Sequence, residues 1–153
     1  MSVCAAGYLS IASADTAAWM DFGTHVLGLM DAQRADAAGA RFLRMDDHPF
    51  RFMIEPGGAD KLLAVGLEFP GAAPWQAALD TLAAAGHAVT AGSAADAQRR
   101  CVTAFATVQD PAGNSLELYW GRHLDYAPLV SPVGVTGFGT SLEPTGHMGF
   151  GPC

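Results

Sequence analysis

The chain is 153 residues long, half of them hydrophobic and only 15% charged, which excludes a disordered chain, a collagen or a charged interaction tail. That is one domain's worth of sequence, at roughly 100–200 residues per domain, and enough to bury a core without staples. Eight basic against fifteen acidic residues leave a net charge of −7, which repels phosphate backbones and anionic lipid, so neither nucleic acid nor a membrane surface is expected as a partner.

No apolar run reaches the roughly 18 residues of a spanning helix. Met1 to Cys4 carries no basic leader ahead of an apolar stretch, so the expected location is cytoplasmic. Cys4, Cys101 and Cys153 are widely spread and form no CxxC pair. An odd count without metal spacing reads as free thiols in a reducing compartment. Cys101 is expected to be a small buried hydrophobe in a strand.

Gly7 to Ala12 is strand-like, and Asp15 suits the N-cap of a following helix. Trp19, Phe22, Val26 and Leu27 recur at helical spacing and predict its apolar face, with Gly28 at its end. Three strands are expected next, at Met30 to Gln33, Arg41 to Met45 and Phe50 to Ile54. Asp46-Asp47-His48-Pro49 forms a turn between the last two.

The pattern then restarts. Ala64 to Phe69 reads as a strand, and Pro74 suits the first position of a second helix. Trp75, Ala78, Leu79 and Leu82 mark that helix's apolar face, and Gly86 ends it. Strands follow near Ala88 to Ala91, Val102 to Val108 and Ser115 to Trp120, the last two joined by the turn Asp110-Pro-Ala-Gly-Asn114.

One offset of 56 positions relates the halves: Leu9 to Val65, Ile11 to Leu67 and Trp19 to Trp75. The expected fold is therefore α+β, with two βαβββ modules, about 5–56 and 60–121, in one pseudo-symmetric curved mixed sheet. The helices lie outside, and the concave face encloses a space. Trp19 and Trp75 are read as core anchors between helix and sheet. Residues 122–145 have the Pro- and Gly-punctuated texture of a linker. Gly146-His-Met-Gly-Phe150 then repeats the texture of Gly7-Tyr-Leu-Ser-Ile11 at an offset of 139. Residues 146–153 are expected to start a third unit that is cut short, since a lone strand cannot pair its backbone groups within its own unit.

The doubled module, Leu43-Arg-Met-Asp-Asp47, Pro56-Gly-Gly-Ala-Asp60 and Asp110-Pro-Ala-Gly-Asn-Ser-Leu-Glu117 together resemble the vicinal oxygen chelate (glyoxalase/bleomycin resistance) superfamily. The segment Leu124 to Phe138, with Gly146-His147, is similar to the stretch following the N-terminal domain of extradiol catechol dioxygenases of the 2,3-dihydroxybiphenyl type. The resemblance implies a two-domain parent that opens catechol-type diols with O2. Its C-terminal domain would hold Fe(II), or Mn(II) in some members, through two histidines and a glutamate, a facial triad with open positions. His147 matches the first of those histidines, so it is a metal ligand only in the intact parent; the other two ligands lie past Cys153.

The N-terminal domain is implied to be metal-free, with no catalytic or cofactor-binding residue of its own, and to support a homo-oligomer. Tyr8 stands at its first-strand ligand position, Ala64 at the equivalent position of the second module, and Glu117 alone keeps a ligand-type side chain. The isolated chain is expected to be inactive and to bind no cofactor. His25, His48, His87 and His123 lack metal spacing and are read as solvated or capping. Asp46-Asp47 is read as a solvated turn. Two other functions fit the superfamily: a stand-alone module binding a small aromatic or apolar ligand, and a glyoxalase-like metalloenzyme assembled at a dimer interface. Tyr8 and Ala64 disfavour the second.

Overall fold

A computed structural model describes residues 3–34 and 36–134 of the chain. In chain order the elements are β1 (Ala5–Ser13), α1 (Thr16–Asp21), a π-helical turn (Phe22–Val26), β2 (Met30–Asp31), β3 (Arg41–Arg44), β4 (Phe52–Pro56) and β5 (Lys61–Phe69). They continue with α2 (Ala72–Ala84), β6 (Thr90–Ala91), α3 (Ala94–Arg99), β7 (Val102–Gln109) and β8 (Ser115–Arg122). All the strands join one eight-stranded mixed sheet in the order β2-β3-β4-β1-β5-β8-β7-β6.

That order is a palindrome of the two modules, and the 56-residue offset is its cause. β1 and β5 occupy corresponding positions and pair antiparallel at the centre, Leu9 against Val65. On either side, β4 runs parallel to β1 with Leu9 opposite Phe52, and β8 runs parallel to β5 with Val65 opposite Leu116. Alternation along the central strands sends successive side chains to opposite faces. Leu118 and Leu116 meet α2 together with Phe69, Ala78 and Leu79. Tyr119 points the other way, into a core shared with Tyr8, Phe42, Phe50, Met53 and Phe105. The inner face is thus packed with aromatic rings: Tyr8 stacks on Tyr119 at 5.4 Å, and Phe50 meets Phe42 at 5.0 Å.

Asp15 caps α1 by accepting from the Ala18 N–H, and Gly28 and Gly86 end their helices in the left-handed region. The apolar stripe expected on the first helix is corrected. Phe22, Val26 and Leu27 are 45%, 67% and 45% exposed, and the buried positions are Met20 and Gly23. The cause is the π turn: Leu27 donates to the Phe22 carbonyl, five residues back, so a 3.6-residue period no longer predicts which side faces the sheet. Gly23 serves this contact, because a β-carbon there would stand 2.3 Å from Leu43 Cδ1.

Trp75 does anchor its helix, donating Nε1–H to the Leu118 carbonyl at 2.9 Å and packing on the outer core. Its mate Trp19 is half-buried and meets Phe22 edge-on. Pro74 is the third residue of α2, not the first, still within the turn whose N–H groups lack helical acceptors. Cys101 sits one residue before β7 with φ +56, half-buried against the inner core rather than in the strand. Helix α3 was not foreseen; Ser93 caps it by accepting from the Asp96 N–H, and its Ala97 enters the inner core. The expected enclosed space is therefore filled by aromatic side chains and by α3. Among the described residues no helix is long and apolar enough to cross a membrane.

Candidate functional site

Tyr8, Ala64 and Glu117 share the inner face of the central strands. Tyr8 of β1 lies opposite Gly66 of β5, and Gly66 lies opposite Glu117 of β8. The absent side chain at Gly66 matters, since a β-carbon there would stand 2.6 Å from the Tyr8 ring. The phenol therefore crosses over Gly66 and donates to Glu117 Oε2 at 2.5 Å. Burial and the neighbouring Glu117 charge push the Tyr8 phenol far above its ordinary range, so it remains a donor.

Glu117 is also gripped by Arg100, which follows α3. Nε donates to Oε2 and Nη2 to Oε1, both at 2.6 Å, the fork geometry that makes guanidinium–carboxylate pairs strong. The Arg100 guanidinium lies 4.4 Å from the Phe105 ring centroid, and Nη1 donates to the Asp96 carbonyl at 3.3 Å. Burial pulls the Arg100 pKa down, yet the Glu117 pair leaves it raised overall. The preceding Arg99 reaches the other module, bonding Glu55 Oε2 at 2.8 Å and Asp36 Oδ1 at 2.9 Å. Glu55 in turn accepts from the Ser10 hydroxyl at 2.5 Å.

A second polar cluster closes one end of the sheet, and it corrects two expectations. His48 is not solvated: it is 5% exposed, with Nε2 at 2.6 Å from Arg122 Nη1. Burial, then the Arg51 and Arg122 charges against the opposing pull of Asp46, lower its pKa to about 3. Asp46 is not a free turn carboxylate either, because it accepts from the buried Arg51 guanidinium and from the His48 N–H. Arg51 also donates to the Ala6 and Gly7 carbonyls. Glu68 lies buried 3.5 Å from both Arg122 and the Tyr119 hydroxyl, and burial raises its pKa. His25 and His123 are exposed, the former 2.9 Å from Asp21, and His87 is exposed past α2. His147 and the unit at 146–153 lie outside the described residues.

Arg44 was missed altogether. It is 1% exposed and donates to the carbonyls of Asp46, Asp125 and Ala127 at 2.7, 2.5 and 2.9 Å. It thereby fastens the segment following β8 onto the first module. Its only signal in the sequence was a basic residue flanked by Leu43 and Met45 in a strand.

Iron does not fit the inner face as built. Ala64 offers no donor atom, the Tyr8 phenol is spent on Glu117, and both oxygens of Glu117 are taken by Arg100. Among the described residues no group of three His, Cys, Asp or Glu is placed to hold a metal ion.

Two βαβββ modules paired through their first strands define the vicinal oxygen chelate fold, in the form catechol dioxygenases carry. The solved structure of a catechol 2,3-dioxygenase superposes with a TM-score of 0.86 at 26% identity, over 92% of this chain and 50% of that one. BphC, a halotolerant catechol dioxygenase, superposes with a TM-score of 0.83 at 28% identity, over 90% of this chain and 46% of that one. Residues 6–57 match the family model for the first domain of dihydroxybiphenyl dioxygenase, BphC D1. An iron-dependent extradiol dioxygenase of Rhodococcus jostii RHA1 is 39% identical over 97% of this chain and 49% of its own length. A biphenyl-2,3-diol 1,2-dioxygenase of Paraburkholderia xenovorans LB400 is 38% identical over 97% and 49%. Along 97% of its length the chain is thus similar to extradiol dioxygenases, and its first module to the first domain of that family. It spans about half the length of the curated relatives it matches.

Proposed function

We propose that this chain is the first, non-catalytic domain of an extradiol ring-cleaving dioxygenase, which inserts both atoms of O2 into a catechol-type diol as the ring bond beside the diol breaks. The carrying observation is alignment along 97% of the chain with a relative named for that activity, on an inner face where Glu117 is already paired with Arg100. In this reading residues 1–121 form the domain, 122–145 a linker and 146–153 the first strand of the catalytic domain. His147 supplies the first ligand to Fe(II), or to Mn(II), and no described residue is catalytic. The parent is a cytoplasmic homo-oligomer, and the described domain packs against its catalytic half.

The test is O2 uptake by the native gene product, supplied with Fe(II), on 2,3-dihydroxybiphenyl and 3-methylcatechol. The reading expects one O2 consumed per diol, with a coloured ring-opened product. Substrate left intact across a panel of catechols contradicts it.

A further inference from the structure

The sheet contains a second copy of the line that holds Glu117. Across three strands run Tyr8, Gly66 and Glu117, each opposite the next. Shifted by the internal symmetry, the same line runs Ala64, Ser10 and Met53, again each opposite the next. The pseudo-twofold thus relates four positions on one face of the four central strands, Tyr8 with Ala64 and Met53 with Glu117. Here one of the four carries a charge, and that charge faces a guanidinium.

Three features make Arg100 more than an incidental ion pair. Both carboxylate oxygens are engaged at 2.6 Å. The Arg100 and Glu117 side chains are only 12% and 6% exposed. The cation's face is covered by Phe105 at 4.4 Å. Helix α3 delivers it, and this insertion lies between β6 and β7 with no helical counterpart among the described residues between β2 and β3.

We propose that the Arg100 guanidinium is a built-in cation that takes the Glu117 carboxylate in place of a metal ion. It keeps the inner face closed to divalent cations, beyond the effect of missing ligand side chains. A buried carboxylate left without a charged partner is strongly destabilising, so a copy of the fold with no metal gains from a positive charge of its own. The next arginine, Arg99, does the same for Glu55 in the other module, so α3 seals both halves of the inner face.

Cobalt(II) titration of the 153-residue chain, followed by its visible absorption, tests this. The Tyr8→His/Ala64→His variant is compared with the same variant also carrying Arg100→Ala. The proposal expects one Co2+ bound in the variant lacking Arg100, and binding weaker by about 100-fold or more where Arg100 remains. Equal affinity in the two backgrounds, or none in either, overturns it. Should the histidine variants not fold, Arg100→Ala alone decides. Its melting temperature should rise with millimolar methylguanidinium while that of the wild type does not. An unmoved Arg100→Ala, or an equal rise in both, overturns the proposal.

Discussion

Arg44 shows how a charge can be placed in a core without a metal or a ligand. Its stem passes through a face bounded by Leu43 and Met45, and its head satisfies three carbonyls. Arg44→Met keeps the volume and removes the donors, orphaning acceptors at about 1–3 kcal/mol for a buried group. Urea unfolding should show a loss of about 2–4 kcal/mol, with faster proteolysis between Leu124 and Gly134. His48 makes a pH prediction. Its pKa, near 6.5 when unfolded, falls to about 3 when folded, so between those values the unfolded chain binds more protons. The stability that His48 confers is complete above pH 6.5 and is lost as pH falls toward 3, by at most about 1.4 kcal/mol per unit. The raised carboxyl of Glu68 opposes this slope, since it holds its proton to higher pH when folded. Replacing His48→Gln should flatten the decline in urea midpoint between pH 6.5 and 4; an unchanged slope would show that His48 does not titrate as its surroundings require.

Among the elements, the paired helices differ in a way their sequences disguise. Trp19 and Trp75 occupy matching positions, but Trp75 alone bonds the sheet and packs on a core cluster. Trp75→Ala should cost about 3–5 kcal/mol and Trp19→Ala under about 2 kcal/mol, measured by thermal unfolding. Equal losses would mean that Trp19 anchors its helix as firmly as Trp75 does. The central strands were legible because the alternation of β1 recurs in β5 at an offset of 56. The α1 face was not, because it is buried through a glycine and a methionine, and periodicity counts large apolar residues. Helix α3 escaped for a different reason: six residues with one buried alanine carry no stripe, and only the Ser93–Asp96 cap signalled it.

For the molecule as a whole, the doubled module was readable from the sequence, and so was the position of Glu117. The guanidinium that occupies Glu117 was not, since Arg100 reaches it only once an unforeseen helix has crossed the inner face. Legibility failed where two distant segments had to meet, as it did for Arg44 and the segment after β8. On the proposed function the two halves of the parent hold different cations: an arginine inside this domain, and iron bound through His147 in the half that would follow. Iron content per chain of the native gene product tests that division most directly, with wild type and His147→Ala loaded with Fe(II) and desalted alike. The account predicts about one iron per wild-type chain and loss of bound iron in His147→Ala, because a facial triad reduced to two ligands holds the ion poorly. Full iron retention in a folded His147→Ala protein would contradict it.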